Sequence, residues 1–231
     1  TNTFDTFDPN GLMVEAEDYD YSGGYCRDNQ GKAHNGRGSI FDVDEHDDSH
    51  AGGAYRAFPP GLEIEDAGDK LRPAYDGTGI TDHNIGFNDA GNWANYTRTF
   101  SPGVYNIYIR AACPGTIPGT AANVASMSLV TDGFGLTNQT TTLLGTFSTP
   151  HTGDGAWHTF DWAPLVDASG NIARVTFTGT TNTLRASVVN GGYNVNFYAV
   201  VPADLTVPIL ENVNPNGATI FQSASDLTFG V

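Results

Sequence analysis

The chain has 231 residues, of which only 16% are charged, and its 26 acidic against 10 basic side chains give a formal charge of −16. That balance makes nucleic acid and anionic membranes poor partners, because no Lys/Arg stripe is present to neutralise phosphate. No apolar run is long enough to span a bilayer. The 28 glycines, with frequent Thr and Asn, suit an all-β chain with many turns better than a helical one.

The first informative segment is Val14-Glu15-Ala16-Glu17-Asp18-Tyr19. On a strand, Glu15 and Glu17 point to one side, with Val14 and Ala16 on the other. Two hard oxygen ligands on one rigid face are half of a calcium site. The plainer alternative is a solvated acidic strand edge. Residues 19–84 follow as a long polar, Gly-rich excursion that includes Asp42-Val43-Asp44-Glu45-His46-Asp47-Asp48. Its length marks a packed or functional insertion between the first strands, anchored by Ile40, Phe41, Tyr55, Phe58, Leu62 and Ile64. The acidic run lacks the spacing of a helical calcium loop and reads as a solvated loop.

A turn-then-strand with spaced aromatics occupies Gly86-Phe87-Asn88-Asp89-Ala90-Gly91-Asn92-Trp93-Ala94-Asn95-Tyr96. Residues 104–110 alternate, with Tyr105, Ile107 and Ile109 on one side, between the turns at Pro102-Gly103 and Cys113-Pro114-Gly115. Further strands are expected at 126–131, 141–147, 157–162, 173–178, 184–189 and 193–200. In the 173–178 run, Ala173, Val175 and Phe177 face inward. Asn190-Gly191-Gly192 predicts a hairpin joining the last two strands. Many short strands with frequent turns argue for a sandwich or a barrel.

A boundary is expected near Val201-Pro202-Ala203-Asp204. The chain then divides into an N-terminal tail at 1–11, a β-sandwich at 12–202 and a tail at 203–231. Two strands cannot bury a core alone. The tail therefore either packs on the main domain or begins a further, truncated Ig-like domain, and the Pro-rich junction favours the second. Its unfinished strands also offer an edge for self-association. Cys26 and Cys113 would form a disulfide in an oxidising compartment if their Cα atoms approach closely enough, which spacing does not decide. The missing initiator Met and leader suit a processed or excised piece of a secreted or cell-surface protein.

Taken together, several segments resemble a family 6 carbohydrate-binding module over roughly residues 12–200. They are Glu15-Ala16-Glu17-Asp18-Tyr19 with Gly23-Gly24, Gly52-Gly53-Ala54-Tyr55-Arg56, Leu62-Glu63-Ile64-Glu65, Asn84-Ile85-Gly86-Phe87, and Gly91-Asn92-Trp93 with Tyr96-Thr97. Two late segments complete the set: Thr152-Gly153-Asp154-Gly155-Ala156-Trp157 and Gly191-Gly192-Tyr193-Asn194-Val195-Asn196-Phe197. The resemblance implies a jelly-roll β-sandwich with a structural calcium ion, which binds a polysaccharide or oligosaccharide without cutting it and tethers an attached hydrolase or lyase to its substrate. It carries over Phe87, Trp157 and Asn194 as sugar-binding residues, and Glu15, Glu17 and Asn196 as calcium ligands. The chain departs from the family pattern at Phe87, where Tyr or Trp is commoner, and at Asn92, where an acid often stands.

The proposed sugar chemistry also follows from the side chains themselves. An aromatic face stacks on the C–H face of a sugar ring, and an Asn amide both donates to and accepts from its hydroxyls. Trp157 sits in a turn-rich segment, its alternative being a core Trp such as Trp93; Asn194 has the alternative of satisfying only local backbone. The six histidines show no metal-binding spacing, and neither a Gly-x-Ser-x-Gly elbow nor a nucleophilic cysteine motif occurs. Two rival functions remain at this level: a glycosidase with carboxylates in the 19–84 excursion, and a structural or adhesive module assembling through its C-terminal strands.

Overall fold

Alternation of core-facing and outward side chains builds several strands of the computed structural model, which describes residues 11–20, 62, 64–68, 82–88, 90–115, 121–134, 136 and 138–205. Among these residues the protein is all-β, with eleven strands and one 3₁₀ turn. In chain order the strands are β1 (Leu12–Glu15), β2 (Ile64–Asp66), β3 (His83–Ile85), β4 (Trp93–Thr99), β5 (Gly103–Ala112) and β6 (Ala121–Asp132). They continue as β7 (Thr140–Pro150), β8 (Asp161–Val166), β9 (Val175–Phe177), β10 (Thr181–Val188) and β11 (Asn194–Pro202). Strand β5 buries Tyr105, Ile107 and Ile109 as its alternation predicts, and Ala173, Val175 and Phe177 are buried as well.

Two sheets share one strand. The first runs β2-β3-β11-β5-β8, with β1 pairing β11 and β9 pairing β5; the second runs β8-β7-β6-β10-β4. Strand β8 divides its length between them. Residues from Asp161 to Pro164 pair with β5, while Leu165 and Val166 pair with Phe147 and Thr146 of β7. That corner needs a glycine, since a Cβ on Gly145 would stand 2.4 Å from the Val166 carbonyl oxygen. The sheets face one another across a shared core. Tyr198 of β11 meets Tyr96 of β4 edge-on at 5.4 Å and Phe147 of β7 at 6.0 Å between ring centroids. Burying each of these rings contributes on the order of 2 kcal/mol.

Three expectations are corrected. The run 14–17 is not one strand: β1 ends at Glu15, and Ala16–Asp18 form a 3₁₀ turn. The strand expected at 157–162 begins only at Asp161, because Trp157 and His158 sit in a turn closed by Thr159 N–H donating to the Ala156 carbonyl at 3.2 Å. The hairpin expected at Asn190-Gly191-Gly192 is a crossover, since β10 pairs with β4 and β6 whereas β11 pairs with β1, β3 and β5. The chain changes sheets there because its glycines allow a close approach. Gly192 has φ 88°, and a Cβ on Gly115 would come within 2.7 Å of the Gly192 carbonyl oxygen. Cys26, the 42–48 acidic run, the Gly52-Gly53 segment and the 206–231 tail lie outside the described residues.

The core holds tyrosines whose ionisation opposes folding. Burial above all, then neighbouring phenol and carboxylate charge, raises the pKa of Tyr96 well above its ordinary value; burial does the same for Tyr193 and Tyr198. Unfolded tyrosine titrates near pH 10. Above that pH the unfolded chain therefore binds fewer protons than the folded one, so stability present below about pH 10 is lost as pH rises further. An absorbance titration at 295 nm should show these three phenols ionising only when circular dichroism reports loss of the sheets. Ionisation of all ten tyrosines with the fold intact would contradict this packing.

Candidate functional site: a loop cleft with an amide-bound floor

A cleft of about 460 Å³ opens where three loops meet, lined by Glu65, Phe87, Asn88, Trp157, His158, Gly192, Tyr193 and Asn194. The structure thus gathers Phe87, Trp157 and Asn194 from distant segments into one site. Trp157 is no core residue: it stays 41% exposed at the cleft, whereas Trp93 is 7% exposed, with the Arg185 guanidinium 3.8 Å over its ring.

Each lining residue is held by backbone geometry that its loop dictates. Phe87 follows β3 and adopts φ 48°, the described non-glycine residue in the left-handed region. For a bulky side chain that conformation costs about 1–2 kcal/mol, and such strain concentrates at functional loops. Here it accompanies a phenyl ring that is 57% exposed at the cleft mouth. The next residue secures the loop, since the Asn88 amide donates to the Ile85 carbonyl at 3.2 Å and the Tyr193 carbonyl at 2.9 Å. The Trp157 turn is anchored upstream by Thr152, whose Oγ1 accepts the Cys113 N–H at 2.8 Å, and is shaped by Gly153 and Gly155 at positive φ.

The floor is a carboxylate gripped by amides. Glu65 Oε1 accepts from Asn84 Nδ2 at 2.9 Å and from Asn194 Nδ2 at 2.6 Å. Asn194 Nδ2 also donates to the Trp157 carbonyl at 3.0 Å. One amide therefore joins β2, the Trp157 turn and the start of β11. Gly86 lies against the same carboxylate, and a Cβ there would sit 2.7 Å from Glu65 Oε1. Sequence reading missed Glu65, Asn88 and His158 as lining residues. The usable signal was the alternation in Leu62-Glu63-Ile64-Glu65: Ile64 is buried in the core, so Glu65 must face away from it.

The second set of candidates is arranged differently from expectation. Glu15 and Glu17 are both buried. Burial first, then the charges of Glu15, Asp18 and Asp82, hold the Glu17 carboxyl well above the ordinary carboxylate value. Glu17 Oε2 is buried without a hydrogen-bond partner among the described residues. Asn196, by contrast, turns its oxygen to Arg110, accepting from Nη1 at 2.7 Å. Its amide nitrogen donates to the His83 carbonyl at 2.8 Å and to Asp82 Oδ1 at 3.2 Å. The reverse orientation would set an NH₂ against the guanidinium, so the Asn196 oxygen faces Arg110 and uses one of its two lone pairs there. Among the described residues no group of three or more Asp, Glu, His or Cys side chains converges as a metal cluster. Glu15 and Glu17 nevertheless fit a hard cation in kind: buried carboxylates that repel one another, one oxygen of them lacking a donor.

No family model matches the chain, and no curated protein does. Solved structures similar to it include family 6 carbohydrate-binding modules. One, from the Cellvibrio mixtus lichenase 5A in complex with cellotriose, is 17% identical over 83% of this chain and 97% of its own, with a TM-score of 0.45. Another, the C-terminal module of a marine laminarinase from Zobellia galactanivorans, is 18% identical over 83% and 99%, with a TM-score of 0.44. A module from Clostridium stercorarium in complex with cellobiose is 17% identical over 87% and 100%, at 0.44. At these identities and scores the likeness carries no argument about function, which must stand on the residues of the cleft.

The loop geometry separates two substitutions. Phe87→Gly should leave the melting temperature unchanged or slightly higher, because relief of the positive φ offsets the roughly 0.5–1 kcal/mol of added chain entropy. Gly86→Ala should lower it by about 1–2 kcal/mol equivalent, by forcing Glu65 off its amide donors. Differential scanning calorimetry reads both, and a large loss in Phe87→Gly would make that ring a packing residue.

Proposed function

We propose that the chain is a non-catalytic, calcium-stabilised module that binds polysaccharide and targets an attached carbohydrate-active enzyme to its substrate outside the cell. The observation that carries this reading is the cleft itself. It combines two exposed aromatic side chains, from separate loops, with a rigid floor of hydrogen-bonding oxygens. Aromatic faces suit the C–H faces of sugar rings, and fixed polar groups suit their hydroxyls. A linked module raises the local concentration of its enzyme at the polymer without any new contact.

Binding without cleavage is the reading the floor favours. Carboxylate-driven glycoside hydrolysis needs two acids flanking the scissile bond. Among the described lining residues Glu65 carries a carboxylate, and one of its oxygens is already occupied by two amide donors.

Calcium belongs to the same proposal. Glu15 and Glu17 would hold it together with the Asn196 oxygen, which keeps a lone pair beyond the one that Arg110 uses. When bound, the ion supplies positive charge that offsets carboxylate repulsion; backbone carbonyls complete its oxygen shell.

Two measurements test the proposal. In an affinity-gel or glycan-array screen with calcium present, wild type should bind a neutral polysaccharide, and Trp157→Ala and Phe87→Gly should each bind it about ten-fold more weakly or worse, since an aromatic contact contributes on the order of 1 kcal/mol beyond its buried area. Full binding by Trp157→Ala would remove the cleft from consideration. Separately, calcium should raise the melting temperature and a chelator lower it, with Glu17→Gln abolishing the difference. A calcium-independent melting temperature in wild type would refute the ion.

A further inference from the structure

From the donor and acceptor count of its floor, we infer that this cleft selects by charge: it takes neutral, hydroxyl-rich glycans and rejects anionic ones, with Glu65 the specificity-determining residue. The inference rests on the proposed sugar-binding role and deepens it by naming the ligand class.

An Asn side chain has two N–H donors. Both donors of Asn194 are spent, on Glu65 Oε1 and on the Trp157 carbonyl. Both donors of Asn88 are spent, on the Ile85 and Tyr193 carbonyls. Rotating either amide by 180° would place oxygen against oxygen at these contacts, so the orientation is set by the surroundings. Among the described residues no hydrogen bond engages Asn88 Oδ1, Asn194 Oδ1 or Glu65 Oε2. Among the described residues, what the side chains of Glu65, Asn88 and Asn194 have left for a ligand is therefore acceptors alone.

Hydroxyl groups satisfy acceptors by donating. A carboxylate or sulfate has no proton to donate, and it would meet lone pairs and a carboxylate of its own sign. The walls do not reverse this. Trp157 contributes an indole N–H and His158 an imidazole, while no Lys or Arg stands among the described lining residues. The formal charge of −16 for the whole chain adds long-range repulsion of the same sign. Glu65 dominates because it is a carboxylate held in place: Asn84 and Asn194 grip one oxygen, and the other is directed by that grip.

The test uses the full chain and a set of polymers matched in everything but charge. Neutral β-glucans and galactans are run in affinity gels, each beside its C6-oxidised carboxylate form and the methyl ester of that form. The expected result is binding of the neutral polymer and the ester, with the carboxylate form at least ten-fold weaker. Raising the salt from 20 to 500 mM (about a five-fold shorter screening length) should narrow that gap without changing neutral binding. Glu65→Gln should narrow it at low salt, because its amide oxygen can keep the Asn84 and Asn194 donors while its NH₂ turns a donor to the cleft. Should that variant fail to fold, the salt series on wild type decides alone. Equal binding of carboxylate and ester, or a gap indifferent to salt, overturns the inference and leaves the sugar-binding role intact. Failure to bind any neutral polymer overturns the sugar-binding role itself, and this inference with it.

Discussion

The constraint on which the site depends is one side-chain amide. Asn194 opens β11, a strand central to the first sheet, and its two N–H groups hold Glu65 at 2.6 Å and the Trp157 carbonyl at 3.0 Å. Those partners come from a short edge strand and from a turn outside the regular sheet. Strand β2 is anchored in the core by Ile64, whereas Trp157 stays 41% exposed. Hydrogen bonds to a charged acceptor are worth roughly 1.5–3 kcal/mol when buried, against about 1 for neutral pairs. That is enough to order a loop whose competing states are solvated.

The same residue shows how structure and recognition share atoms. Spending both donors of Asn194 on the protein leaves its oxygen for solvent or ligand, and Asn88 repeats the arrangement against two backbone carbonyls. Rigidity and an acceptor-rich floor are thus one feature, not two. The strained φ of Phe87 belongs with it, because Asn88 immediately after it fastens the loop on the Tyr193 side. A ring kept outside the core by a locked backbone loses little freedom when a ligand covers it.

Elsewhere the polar interior follows a different logic. Burial and the charges of Glu15, Asp18 and Asp82 act on the Glu17 carboxyl, and Arg110 is linked to Asp82 through Asn196. Arg110 itself is buried between the Phe160 and Phe197 rings, 5.0 and 5.6 Å from their centroids. Its guanidinium donates to the Asn196 oxygen, so packing of two aromatic rings and the orientation of that amide are linked.

Whereas Phe87 and Asn194 are reached through the family resemblance, the all-β class, the inward face of strands such as β5 and the exposure of Trp157 are legible in the amino-acid sequence. Those properties are local, since period-two alternation sorts Ile107 from Tyr108, and turn-rich context keeps Trp157 out of the core. Tertiary structure alone decided the rest. The Asn190-Gly191-Gly192 turn reads as a hairpin because its chemistry permits one, but a close backbone approach at Gly115 and the demands of β5 and β6 send its flanking strands to different sheets. Residues 14–17 read as strand, but β1 stops at Glu15, where the chain enters a 3₁₀ turn. The Glu65–Asn194, Asn88–Tyr193 and Asn196–Arg110 bonds each join residues more than 80 positions apart, and the Asn194–Trp157 bond spans 37. A hydrogen-bond network is a property of atoms brought together in space, and alternation along a chain does not encode it.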